Sequence, residues 1–174
     1  PKPQNPVFSK IFIYNIKMLS RLFVRQRPAT MMRCFSSVST VDPSAIKNMR
    51  AREVGDVLGS FAKEESTLDA AKAQALSENI DEFFRVNFRK IEFEDAKYIA
   101  GQLAKDGSKK INALDDKFWI WETLEEEIRP NADKLTGNDC EAVFGGFLLN
   151  IKGSEDLIDI LTERLYAQHI TSPF

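Results

Sequence analysis

Residues 140–165 read CEAVFGGFLLNIKGSEDLIDILTERL. Val143, Phe144, Phe147, Leu148 and Ile151 recur at spacings of three and four. Gly153 interrupts the run, and Leu157, Ile158, Leu161 and Leu165 resume it. Apolar residues at i, i+3, i+4 and i+7 line one face of a helix. The stretch therefore predicts a helical hairpin. Its first helix opens at Thr136 as N-cap, with Asp139 three later, and ends at Gly153. The second opens at Ser154, with Glu155 and Asp156 at the positive end of its dipole, and runs to Thr171-Ser172-Pro173.

The same rhythm extends backward along the chain. Asp42-Pro43 supplies an N-cap with proline at the first helical position, and Ile46, Met49, Val54, Val57, Leu58 and Phe61 predict a helix over 43–64. Ser66, with Asp69 three later, opens a second helix whose face is Leu68, Ala71, Ala75, Leu76, Ile80, Phe83, Phe84 and Phe88. A third begins at Phe93-Glu94-Asp95, continues through Ala96, Ile99, Ala100 and Leu103, and stops at Asp106-Gly107-Ser108. A fourth starts at Asp115 or Asp116, with Phe118, Trp121, Leu124 and Ile128 on one face and Pro130 beyond its end. No segment sustains period-two alternation, so no strand is predicted.

The first helices of the three resulting hairpins share a pattern. Val57-Leu58-Gly59-Ser60-Phe61, Ile99-Ala100-Gly101-Gln102-Leu103 and Val143-Phe144-Gly145-Gly146-Phe147 each read aliphatic, any, Gly, any, large apolar. Gly59, Gly101 and Gly145 lie 42 and 44 residues apart. An interior helical glycine costs roughly 1 kcal/mol relative to alanine, and close helix–helix approach is the expected compensation. Two helices per unit of this length are the signature of an α-solenoid. The expected fold is all-α: three hairpins stacked as a short α-solenoid over 43–170. A linker at 36–42 and a basic leader over 1–35, disordered or helical, precede it.

The run Phe118-Trp119-Ile120-Trp121-Glu122-Thr123-Leu124-Glu125-Glu126-Glu127-Ile128, then Leu135-Thr136, then Cys140 to Phe147 and Leu157 to Leu165, resembles the helical repeats of organellar RNA-binding proteins. The nearest types are the octotricopeptide repeats and the repeats that precede RAP domains. The likeness covers about 90–166, with an echo from 49, and rests on apolar positions. It implies RNA binding along the concave face of a superhelix. The chain departs from that pattern in having about three units, no recognisable RAP domain and an acidic body.

The charge is strongly partitioned. Residues 1–35 hold 7 of the 24 basic residues and none of the 26 acidic ones, which leaves the remainder of the chain at −9. From Met18 the sequence reads MLSRLFVRQRPATMMRCFSSVST, which is Arg-rich, contains serine and lacks acid. That composition marks a mitochondrial transit peptide. The membrane potential pulls such a segment inward at about 2.3 kcal/mol per charge per 100 mV. Arg33, Phe35 and Ser36 resemble the cleavage motif of matrix-processed precursors, so the mature chain is expected to begin near Ser36. Residues 1–17 lie upstream of Met18 and do not enter the fold reasoning. The expected location is the matrix or the matrix face of the inner membrane.

No residue set supports a reaction. His169 is the sole histidine, so any Ser–His or Cys–His nucleophile would depend on it alone. Cys140 reads as a small core residue, and two cysteines with one histidine cannot build a zinc site. Glu125-Glu126-Glu127 reads as a solvated helix face, and Gly145-Gly146 lies within a helix rather than in a phosphate loop. No cofactor, metal or enzymatic activity is expected. No apolar run approaches the roughly 20 residues of a membrane span.

Arg85, Arg89 and Lys90 form a basic cluster beside Val86 and Phe88. Trp119 and Trp121 cannot both sit at the centre of one helical stripe, so one of them is a candidate partner anchor. These five residues are the candidate partner-binding set. The expected role is a non-catalytic accessory or assembly subunit of a large mitochondrial complex: ATP synthase, a respiratory complex or the mitoribosome. The alternative is RNA binding in mitochondrial RNA processing or translation. The acidic body disfavours RNA because phosphate contacts dominate that affinity.

Overall fold

A computed structural model describes residues 37–105 and 107–171, with side chains placed up to residue 168. All regular structure among the described residues is helical. Six α-helices carry it: α1 (Ala51–Glu64), α2 (Ala70–Val86), α3 (Phe93–Gln102), α4 (Trp119–Ile128), α5 (Gly137–Asn150) and α6 (Glu155–Thr171). Short 3-10 segments join or precede them at Val38–Thr40, Pro43–Asn48, Glu65–Thr67, Asn112–Leu114 and Arg129–Lys134.

The first helix departs from its expected span. Asp42 accepts from the Ser44 N–H at 2.9 Å and Pro43 occupies the first position, as the sequence predicts. The segment then stops at Asn48, and Met49 and Arg50 are both extended, with ψ near 159° and 158°. A new helix starts at Ala51, where Glu53 accepts from the Arg50 N–H at 2.7 Å. The reason is visible in the spacing: Met49 and Val54 are five apart, which breaks the three-four rhythm. The break lets one leg pack on α2, with Ile46 fully buried, while α1 packs on α3.

α2 starts later than Ser66, because Asp69 itself caps it by accepting from the Ala71 N–H at 3.2 Å. Leu76, Ile80, Phe83 and Phe84 form its buried face. α4 begins at Trp119 rather than at Asp115 or Asp116, which leaves Phe118 outside the helix. Phe118 has no capping side chain, and the Asp81 carboxylate of α2 supplies the cap by accepting from the Ile120 N–H at 3.1 Å. α5 starts after Thr136 as expected, but it ends at Asn150, with the left-handed Ile151 closing it, instead of at Gly153. Ser154 caps α6, its hydroxyl accepting from the Leu157 N–H at 3.2 Å.

The packing is a two-layer stack. α3 lies between α1 and α5 in one layer, and α2 packs against α4 in the other. α3 also packs on α4, and α5 on α6. Two polar links, one partly exposed and one buried, fix the long connection after α3. The Glu65 carboxylate accepts from the N–H groups of Asn112 and Ala113 at 3.0 and 2.7 Å. The buried Asn150 accepts from the Ile111 N–H at 3.0 Å and donates to the Gly146 carbonyl at 2.9 Å. The connection is thus tied to the first and third hairpins at once, which a burial-only account of the core would not provide.

The glycines sit in the α1–α3–α5 layer. A Cβ on Gly59 would meet the Gln102 side chain at 3.2 Å, and one on Gly55 would meet Tyr98 and Ile99 at 3.2 Å. A Cβ on Gly101 would make only ordinary contact with Ala142, at 3.5 Å. Gly145 is buried. The tightest approach is at Gly146, where a Cβ would come within 2.2 Å of the Ala100 carbonyl oxygen.

Candidate partner-docking surface

The surface is built where α2 ends and α4 begins. Asn87 closes α2, its N–H and its side-chain amide both donating to the Phe83 carbonyl, at 3.0 and 2.9 Å. The chain reverses through Arg89, which takes a left-handed conformation with φ of 66°. This turn holds the Phe88 ring edge-on to Trp119, with centroids 5.5 Å apart. Trp119 in turn meets Phe118 edge-on at 5.2 Å. The Arg89 guanidinium lies 5.6 Å from the Phe88 ring centroid. Edge-to-face pairs of this kind contribute about 0.5–1.5 kcal/mol beyond area burial.

Among the described residues the aromatic row is only partly covered. Phe118 is 57 % exposed and Val86 55 % exposed, while Phe88 and Trp119 are half-buried. The expectation that Phe118 lies on the core face of the fourth helix is therefore corrected, since the helix starts one residue after it. The two tryptophans separate cleanly. Trp121 is buried, its indole N–H donates to the Leu114 carbonyl at 3.2 Å, and its ring lies 6.1 Å from Phe147. Trp119 belongs to the exposed row.

The predicted cations divide as well. Arg85 is clamped to Glu82 at 2.6 and 2.5 Å. That contact raises the Arg85 guanidinium and holds the Glu82 carboxyl below its usual range, while both remain at the surface. Arg89 sits over the aromatic row. Lys90 makes no ion pair among the described residues and lines a separate cleft with Lys47 and Arg50. Arg33, Phe35 and Ser36 lie outside the described residues. Val86 and Phe118 were not singled out in sequence as docking residues, because helical periodicity alone does not say which apolar residue a helix end leaves uncovered.

Glu125, Cys140 and Tyr98 have structural partners. Glu125 bridges to α6, accepting from the Ser154 N–H at 2.9 Å and pairing with its hydroxyl. Burial pushes the Cys140 thiol up to about 11, so at neutral pH it is a protonated core group. Its Sγ lies 3.6 Å from the Leu161 carbonyl. Burial, reinforced by a 2.5 Å hydrogen bond to Asp56, pushes the Tyr98 hydroxyl up to about 12. No group of three or more metal-ligating side chains converges among the described residues. No described helix is long and apolar enough to cross a membrane. Comparison with models of known protein families, with curated proteins and with solved structures finds no match to this chain.

Proposed function

We propose that this chain is a non-catalytic helical-repeat subunit of a large mitochondrial assembly, docking on a partner protein through the row Val86, Phe88, Phe118 and Trp119. The observation that carries this reading is the exposure of Phe118 and Val86 beside the half-buried Phe88 and Trp119, where one helix ends and another begins. Contiguous exposed apolar surface with aromatic anchors is the usual anatomy of a protein-binding site. The occupant is an apolar segment flanked by acidic residues. Charge complementarity supports it: the Arg89 guanidinium lies over the Phe88 ring of the row, whereas the sequence after residue 35 stands at −9. The mitochondrial address rests on the composition of the segment from Met18 to Ser36. The assembly would be the ATP synthase, a respiratory complex or the mitoribosome.

A photo-crosslinking residue placed at Phe118 in the tagged full-length chain tests the proposal. The expected result is a single stoichiometric adduct and co-migration with one large complex on a native gel of solubilised mitochondria. Both should be lost in a Val86→Asp, Phe118→Asp double variant that keeps its helical circular dichroism. Migration as a free small protein, or co-migration unaffected by the double variant, overturns the reading. Crosslinking to RNA with steep salt dependence would replace it with the RNA-binding alternative. A crosslink to residues 1–35 of the same chain would show the row to be self-occupied.

A further inference from the structure

Several cations of the acidic body are tied in ion pairs. Arg52 pairs with Asp95, Arg85 with Glu82, Lys97 with Glu94 and Asp139, Lys110 with Asp115, and Lys117 with Asp116. Lys47, Arg50 and Lys90 have no such partner among the described residues, yet all three line one cleft of about 300 Å³. The fold creates this cleft. The extended Met49–Arg50 break separates the 3-10 leg from α1, and the turn after α2 brings Lys90 to the opposite wall. Phe83 and Ile91, 5 % and 4 % exposed, supply apolar lining. The one acid on the wall, Asp95, is already engaged by Arg52 at 2.8 Å.

Three cations lining one concavity concentrate counter-anions there. We propose that this cleft binds a phosphate-bearing small anion. A phosphoryl group offers more than one negative charge and several acceptor oxygens, which suits a planar guanidinium fork beside two ammonium point charges. A single carboxylate would leave two of the three cations uncompensated. The volume is at the lower end of ligand pockets, so it fits a phosphoryl head with a small organic remainder against Phe83 and Ile91. α1 begins on the same wall at Ala51, and the positive end of its dipole adds to the field of the cations. The phosphate could belong to a free metabolite or to a lipid headgroup. This site does not depend on the docking row.

Pyrophosphate titration of the full-length chain, followed by amide NMR, tests the proposal. Saturable shifts are expected at residues 47–51 and 87–91. Lys47→Ala and Lys90→Ala should each weaken binding about tenfold, the scale of one charge-assisted hydrogen bond. Lys109→Ala, beside the far end of α1, should leave binding unchanged, as should Val86→Asp with Phe118→Asp. Shifts confined to residues 1–35, shifts spread over all surface lysines without saturation, or unaltered affinity in the Lys47 and Lys90 variants overturn it. Vesicles of phosphatidylcholine with and without phosphatidic acid distinguish the sources. Phosphatidic-acid binding that requires Lys47 and Lys90 identifies a headgroup. Pyrophosphate saturation without cleft-dependent vesicle binding identifies a free phosphate.

Discussion

A Cβ on Gly146 would sit 2.2 Å from a backbone oxygen, whereas one on Gly101 would touch only the Ala142 methyl at 3.5 Å. The two positions therefore respond oppositely to the same substitution. Gly146→Ala must push α5 off α3 and is expected to cost about 3 kcal/mol, the upper range for overpacking. Gly101→Ala gains helix propensity at a position with room and is expected to stabilise by up to about 1 kcal/mol. Urea midpoints of the two variants check this, and equal shifts would contradict it. The repeat pattern placed a glycine of the third unit at this interface but aligned Gly145 with the other two. Adjacent helical residues differ by 100° in direction, so a Gly-Gly pair in sequence does not say which member meets the neighbour. Tyr98 supplies a second test at this scale. Its folded-state value of about 12 lies above the ordinary 10, mainly through burial and then through Asp56. Stability from this group is intact below pH 10 and is lost as the pH rises from 10 toward 12. Denaturation midpoints should fall across that window, and Tyr98→Phe should flatten the slope.

Helix ends were the least legible elements, and their causes differ. Periodicity located most of each buried face, because burial selects those positions directly; Ala71, Phe118 and Ile151, expected on core faces, are exposed instead, since each lies at a helix end. It did not reveal that Asp81 caps α4 across a helix pair, a contact 39 residues apart in sequence. Nor did it place the end of α5. There the Ile151 and Lys152 N–H groups donate to the Leu148 and Phe147 carbonyls at 3.2 and 3.0 Å, a Schellman arrangement with Ile151 in the left-handed region at φ of 57°. Glycine is the ordinary residue at that position, and a β-branched one is strained there. Ile151 is also 73 % exposed, so its side chain contributes little packing. Ile151→Gly is therefore expected to stabilise the protein by about 1 kcal/mol, against the usual direction of an apolar-to-glycine change. A thermal melt that shifts downward would contradict this account.

At the scale of the whole molecule, α3 is the common element. It packs against α1, α5 and α4, and the connection that follows it is hydrogen-bonded to the hairpins on both sides. Stacked helices can unfold piecewise, but this stack is cross-tied at its centre. We expect a single cooperative transition. In a Cys34→Ser background, pulsed thiol labelling of the buried Cys140 should follow the same urea curve as helical circular dichroism. Labelling that precedes the loss of helix would mean that the third hairpin opens alone. The sequence made the all-helical class and the packing of helix on helix legible, since both follow from the period of the apolar positions. The docking row and the Lys47–Arg50–Lys90 cleft were not legible together. Each depends on segments some 30 to 40 residues apart being brought side by side.

The separation of Trp119 from Trp121 has a practical consequence. One indole is sealed in the core with its N–H bonded to a carbonyl; the other stands half-open in the aromatic row. The chain thus carries two optical reporters on one helix. Emission from Trp121 should be blue and inaccessible to iodide, and should change only when the fold is lost. Emission from Trp119 should be quenchable and should become protected when a partner covers the row. A quenching curve of the wild-type protein, compared with Trp119→Phe, would then report occupancy of the surface without any label.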